Sequence, residues 1–158
     1  MVLMILIEIR RFKRRDLKEV KSLIDRTIEV SYRDAYPNEA IDFFKEYHSE
    51  EHILDDAEEG YSIVVVSNGR IVGTGTLLDT NIRRVFVDPS EQRRGIGKKI
   101  MGDQESRANK TGAEIVDLAS SLTSKEFYDS LNYVCDEQTF IPLERDQKLV
   151  YYRMRKRL

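Results

Sequence analysis

Leu17, Val20, Leu23, Ile24 and Ile28 recur at steps of three and four, with Val30 near the same stripe, and this spacing predicts an amphipathic helix. Asp16 followed by Glu19 resembles a capping box at its start. Ahead of it, the apolar run Met1 to Ile9 carries Glu8 and lacks a basic leader, so it reads as a first strand. Tyr32 to Pro37 breaks the helical pattern. Ala40, Ile41, Phe43, Phe44 and Tyr47 then suggest a second helix, and Ser49 opens a short acidic third one that Gly60 ends. Tyr61 to Ser67 and Arg70 to Leu78 are rich in β-branched residues and flank Asn68-Gly69. That pair predicts a hairpin, because both central positions of a type I′ turn need positive φ.

A strand at Ile82 to Val87 ends at Asp88-Pro89, and after a short loop Gly97 to Lys110 reads as a helix. Ile96, Ile100, Met101, Gln104 and Ala108 mark its inward side. Further along come a strand at Ala113 to Ala119, a helix from about Ser124 to Leu131, a strand around Tyr133 to Phe140 and a last one at Lys148 to Met154, on which Val150, Tyr152 and Met154 share a face. Hairpins first and helical crossovers later indicate an α/β chain with a mixed sheet flanked by helices. Nothing in the 158 residues reads as a linker or a repeat, so one domain over residues 1–158 is expected.

Composition narrows the partners. Hydrophobic residues make up 41% and charged residues 34%, which is globular, and a net charge of −2 argues against a nucleic-acid binder despite basic clusters at Arg10 to Arg15 and Arg153 to Arg157. No stretch approaches the ~20 apolar residues of a membrane span. Cys135 is the single cysteine and no Cys/His pattern has metal-ligand spacing, which together suggest a cytoplasmic protein without a metal.

The candidate chemistry starts at Val85-Phe86-Val87-Asp88-Pro89-Ser90-Glu91-Gln92-Arg93-Arg94-Gly95-Ile96-Gly97-Lys98, where a strand runs through a loop into a helix N-terminus. The first turn of a helix has N–H groups without intrahelical partners and about half a positive charge from the macrodipole, so it attracts anions. Gly95 and Gly97 allow a close backbone approach, and Arg93, Arg94 and Lys98 add positive charge suited to a diphosphate. A Walker loop would need Gly-Lys-Ser/Thr, and a dinucleotide fingerprint would need a third glycine with an acidic residue about 20 positions on. Gln92-x-x-Gly95-x-Gly97, preceded by Val-Phe-Val-Asp-Pro, is instead similar to the acetyl-CoA signature (Gln/Arg-x-x-Gly-x-Gly/Ala) of the GNAT acetyltransferase superfamily.

That resemblance extends over nearly the whole chain and implies a mostly antiparallel sheet of about seven strands. It also implies acetyl-CoA as cosubstrate, bound by Gln92, Arg93, Arg94, Gly95, Ile96, Gly97 and Lys98 in the loop and by the backbone of Val85, Phe86 and Val87 on a strand that splays from its neighbour. Lys125-Glu126-Phe127-Tyr128-Asp129-Ser130-Leu131-Asn132-Tyr133 resembles the family's pattern x-x-x-Tyr-x-x-Leu-Gly-Phe/Tyr, which makes Tyr128 the general acid. Attack by an amine on a thioester expels a thiolate, and a phenol of pKa ~10 can protonate one whose conjugate acid lies near ~8.5. Asn132 replaces the family's glycine, and asparagine tolerates a left-handed C-cap. Ser121 stands where many members have a cofactor-contacting asparagine, and its shorter reach bears on affinity.

Tyr32, Tyr36 and Phe43 lie in the segment that in this family walls the acceptor pocket. The first two are expected to bind the acceptor, although aromatics there serve equally as core. No general base declares itself. Asp79 and Asp117 read as exposed or capping carboxylates, His48 and His52 as surface residues, and Asp55, Asp56, Glu58 and Glu59 as a solvated face. The expected function is transfer of acetyl from acetyl-CoA directly to a primary amine in a ternary complex, Cys135 being placed for packing. A non-catalytic acyl-CoA-binding module remains the alternative. One sequence does not fix the acceptor or the oligomeric state, and a homodimer stays open.

Overall fold

In a computed structural model, which describes residues 6–158, the sheet is built from β1 (Ile7–Arg11), β2 (Tyr61–Ser67), β3 (Arg70–Leu78), β4 (Asn81–Val87), β5 (Ile115–Ser121), β6 (Val134–Pro142) and β7 (Lys148–Arg157). The helices are α1 (Leu17–Ser31), α2 (Asn38–Tyr47), α3 (Glu50–Glu59), α4 (Ile96–Lys110) and α5 (Lys125–Ser130). Strand order is β1-β2-β3-β4-β5-β7-β6, and every neighbouring pair is antiparallel except β4 with β5. The expected first strand begins at Ile7 here, and residues 1–5 of that reading lie outside the described residues.

Two faces of the sheet carry separate apolar layers. Val20, Leu23, Ile24 and Ile28 of α1 pack with Ala40 and Ile41 of α2 and Ile53 of α3 over one face, where they meet Phe86 and Leu149. On the other face Ile96 and Ile100 of α4 cover β2 and β3, while Met101 and Ala108 pack with Tyr128 and Tyr133. Burying each such aliphatic side chain stabilises the fold by roughly 1.5–3 kcal/mol, which explains why the three-and-four spacing was a reliable guide. Val30 departs from it and is exposed, one step past the buried stripe of α1. Gln104 belongs to the inward side of α4 as expected, yet neither side-chain amide atom has a hydrogen-bond partner among the described residues.

Turn chemistry follows the sequence at two points. Asn68 and Gly69 have φ of 52° and 76°, and the β2–β3 register closes Ser67 against Arg70 across them. Asn132 adopts φ 71°, the left-handed conformation for which asparagine was suited. The capping box at Asp16 is different. Asp16 accepts from the Lys13 amide at 2.8 Å and from Arg10 at 2.8 and 2.9 Å, which closes a short 3₁₀ turn before α1, and Glu19 accepts from the Ile71 amide of β3 at 2.7 Å. Asp16 is thus held by residues that precede it in the chain and Glu19 by a distant strand, so neither carboxylate caps α1.

Two irregularities in the middle of the sheet create room for a site. Only Asn81 and Asp117 are paired between β4 and β5, so the strands diverge beyond that point. In β4 a bulge opposite Gly75 sets two residues, Arg84 and Val85, against one, with Arg84 at φ 57°. A Cβ at Gly75 would lie 2.6 Å from Ile100, so glycine lets α4 approach the sheet at the bulge. The bulge also changes which way β4 faces: Ile82 packs in the α4–α5 layer and Phe86 in the α1–α3 layer, although four residues along a regular strand would keep them on one side.

Candidate active site

Where β4 and β5 part, two cavities meet, of about 210 and 420 Å³. Tyr32, Val85, Phe86, Ser124 and Tyr128 line both.

The larger cavity runs along the end of β4 to the start of α4. Val85, Phe86 and Val87 form its strand wall, and Gln92, Arg93, Gly95, Ile96, Gly97 and Lys98 close its end. Gly95 precedes α4 at φ 82°, a conformation that costs a residue with a Cβ roughly 1–2 kcal/mol. The Lys99 amide bonds back to the Gly95 carbonyl at 3.1 Å, so the amides of Ile96, Gly97 and Lys98 precede the helical ladder and are open to an anion. Gly97 has a second reason to be glycine, since a Cβ there would sit 3.0 Å from the Phe127 ring of α5. Gln92 ties the loop to the strand by donating to the Val87 carbonyl at 3.0 Å.

Asp88 anchors the loop at its root. Its carboxylate is buried, accepts from the Ser90 amide at 2.9 Å and the Ser90 hydroxyl at 2.8 Å, and pairs with Arg26 of α1 at 2.5 Å and Arg70 of β3 at 3.1 Å. Burial alone would raise its pKa, but the Ser90 bonds and Arg26 outweigh it and hold the carboxyl down at about 2.

Three expected residues are placed differently. Arg94 lies outside the lining, half exposed and paired at 3.2 Å with Glu91, which does line the cavity. Ser121 lines the smaller cavity, where its hydroxyl is engaged with Thr123 at 2.9 Å and Ser124 at 3.0 Å, and Thr123 and Ser124 face the larger one. Tyr36 lines neither: its hydroxyl donates to the Val150 carbonyl at 2.7 Å and accepts from the Leu122 amide at 2.9 Å. That bridge holds the end of β5 against β7, beside the opening.

Tyr128 is buried on the shared wall, its ring edge-on to Phe127 at 5.1 Å and Tyr133 at 5.7 Å. Burial, helped by nearby Tyr32, pushes the phenol well above its usual range, so it holds its proton throughout the neutral range. Tyr32 is raised by burial too, with Ser121 and Ser124 pulling the other way.

The smaller cavity contains residues that sequence reasoning did not single out. His48, expected on the surface, is 6% exposed and meets the Phe86 ring edge-on at 5.1 Å. It extends the apolar stripe Ala40, Ile41, Phe44 by one more step of four, which is the signal that could have found it. His52 is exposed as expected. Arg84 donates to His48 Nδ1 at 3.1 Å, and because a guanidinium can only donate, Nδ1 accepts and the proton sits on Nε2. Burial first, and then the Arg84 and Lys21 charges, push the imidazole well below its ordinary pKa, so it stays neutral and has no free lone pair with which to act as a base.

Arg84 is also paired with Asp56, which Arg83 reaches at 3.4 Å. A regular strand would point consecutive arginines to opposite faces, and the bulge brings both to one carboxylate. Asp56 therefore leaves the solvated face expected for its run, while Asp55, Glu58 and Glu59 remain exposed. Asp79 and Asp117 are exposed, and Asp117 accepts from Asn81 at 2.7 Å. Cys135 lines neither cavity and packs beside Tyr133 and Met154. No group of three metal-ligating side chains is assembled, and no helix is long and apolar enough to cross a membrane, among the described residues.

A family model described as an acetyltransferase (GNAT) domain matches residues 32–158. Comparison of the sequence with curated proteins gives no significant match. The fold is similar to that of a crystal structure described as a GCN5-related N-acetyltransferase, also labelled aminotransferase class II, from Rhodopseudomonas palustris (TM-score 0.89, 20% identity, 100% of this chain and 99% of that chain). It is also similar to the PaiA N-acetyltransferase from Thermoplasma acidophilum in complex with coenzyme A (TM-score 0.73, 17% identity, 97% of this chain and 99% of that one). A third likeness is to the ribosomal-protein-S18-alanine N-acetyltransferase from Escherichia coli (TM-score 0.71, 17% identity, 96% and 94%). With the family model covering residues 32–158, this chain belongs to the GNAT acetyltransferase family.

Proposed function

We propose that this protein transfers an acetyl group from acetyl-CoA to a primary amine by direct attack in a ternary complex. The observation that carries the reading is the divergence of β4 from β5, which joins two cavities at Tyr128. The residues present fit a CoA thioester. Free amides of the first turn of α4, with Arg93 and Lys98, suit a diphosphate, and the β4 edge that faces β5 has no strand partner beyond Asn81 among the described residues and suits an extended amide-bearing arm. When bound, acetyl-CoA supplies an acyl group activated as a thioester.

The chain itself contributes position and one proton. Holding acceptor and donor in adjoining cavities makes the encounter effectively unimolecular. As the amine nitrogen bonds to the acyl carbon and the carbon–sulfur bond breaks, the departing sulfur takes the Tyr128 proton, water takes the proton lost from nitrogen, and solvent later restores the phenol. A buried phenol is a weaker acid than one in water, but the same desolvation raises the basicity of a thiolate in that cavity, so the two remain matched. Tyr32 and Ser124, on both walls, would touch the reacting groups, and Tyr36 would act by positioning β5. Cys135 stays out of the reaction.

An acetylation assay with a panel of primary amines, reading free thiol and product mass, tests the proposal. Product heavier by one acetyl group with matching thiol release is expected. Saturable CoA binding with no acceptor-dependent thiol would establish a binding module instead.

A further inference from the structure

The charged side chains lining the smaller cavity are both basic, Arg83 and Arg84, and no aspartate or glutamate lines it among the described residues. Asp56 stands behind them and is shared by both, so one carboxylate faces two guanidinium groups and the wall keeps a net positive charge. The Arg84 side chain is only 4% exposed, and its Nε–H has no partner among the described residues. A buried donor left unmet is costly, and an incoming acceptor atom would relieve it. His48 lines the same cavity with its proton on Nε2, adding a neutral donor.

Resting on the acetyl-transfer reading, we propose that the acceptor is a small aminocarboxylate, its carboxylate held by the Arg83–Arg84 pair and its amine directed toward Tyr128. Guanidinium groups recognise carboxylates with paired, charge-assisted hydrogen bonds. The wall repels di- and polyamines, which bring a second positive charge and no anion. A volume of about 210 Å³ restricts the acceptor to a compact molecule, and the apolar rings of Phe44 and Phe86 accommodate its hydrocarbon part. The arrangement also accounts for the missing base. Positive charge beside an amine lowers the amine's pKa, so the bound acceptor sheds its proton to water more readily than it would in solution.

The test uses the full chain with acetyl-CoA and a panel of α-, β- and γ-amino acids, each paired with its carboxamide and its decarboxylated amine, together with putrescine and spermidine. At least one amino acid should exceed its carboxamide and amine by about 10-fold or more in kcat/KM, mainly through KM. Arg83→Gln, at a half-buried position, should shrink that preference to about three-fold or less. Carboxamides or polyamines acetylated as well as the amino acids would overturn the inference and leave the transferase reading standing. If no acceptor is acetylated, that reading fails, and calorimetry on the CoA-saturated protein decides the inference separately. An amino acid binding about 10-fold tighter than its carboxamide supports it, and equal or absent binding overturns it.

Discussion

The two cavities that meet at Tyr128 are built in opposite ways. The larger draws most of its lining from the single stretch Val85 to Lys98, and much of what it offers is backbone: unpaired amides, a free strand edge and two glycines. The smaller gathers side chains from residues as far apart as Tyr32 and Tyr151, and its character comes from a bulge, a buried histidine and two arginines. A phosphate-bearing ligand can be held by peptide groups that any sequence supplies once the turn is right, whereas an acceptor is distinguished by side chains that only the folded chain assembles. The first kind of site therefore leaves a local signature and the second does not.

The sharpest way to separate the cavities is at their common wall. Tyr128→Phe should lower turnover by roughly 10–1000-fold while the affinity for acetyl-CoA changes little, as expected for loss of a proton donor. Steady-state kinetics beside a CoA titration checks this, and unchanged turnover would remove Tyr128 from the chemistry. Because burial raises the phenol, the activity of the native enzyme should show no loss from Tyr128 ionisation up to about pH 10, the ordinary phenol value.

Next in size is the root of the loop between β4 and α4. Asp88→Asn removes a buried carboxylate shared by Arg26 and Arg70 and should cost about 2 kcal/mol in urea unfolding at neutral pH. The sign follows from a folded pKa of about 2, below the ~3.9 of an unfolded aspartate: the contribution is full above about pH 4 and is lost as pH falls toward 2. The stability gap between native protein and variant should close over that window, and a gap independent of pH would show that the pairing is unimportant.

The two loop glycines sharpen the comparison further. Gly97→Ala drives a methyl against Phe127, which neighbours Tyr128, so it should cost about 1–3 kcal/mol and raise KM for acetyl-CoA. Gly95→Ala meets no obstacle and should cost only about 1–2 kcal/mol, from φ 82°. Thermal unfolding of both variants would reveal a reversed order if Phe127 yields easily. The smallest effect lies away from both cavities: Gln104→Leu replaces a buried amide without partners and should raise stability by about 1 kcal/mol with kcat unchanged.

The same contrast explains what could be read beforehand. The order of strands and helices and the Asn68-Gly69 turn were legible because each depends on neighbours within a few residues, and the left-handed Asn132 through its place in the family's pattern. The parting of β4 and β5 came from resemblance to a family, since no spacing announces it. Asp16 and Glu19 look like a local cap and are instead claimed by Arg10 and by the Ile71 amide. His48 reads as a surface residue in the sequence, although the stripe through Ala40, Ile41 and Phe44 extends to it. The bulge opposite Gly75 was not legible, because Arg70 to Leu78 reads as an ordinary strand. That the bulge would turn Arg83 and Arg84 to one carboxylate depends on α3 packing from across the chain, and no local pattern encodes it.

Calorimetric titration of the purified protein with acetyl-CoA, repeated with dephospho and pantetheine-only analogues, addresses the loop that everything else presupposes. The account predicts saturation at one ligand per chain, with most of the affinity lost once the diphosphate is absent. Equal binding of the pantetheine fragment, or no saturation by any of the three, would contradict it.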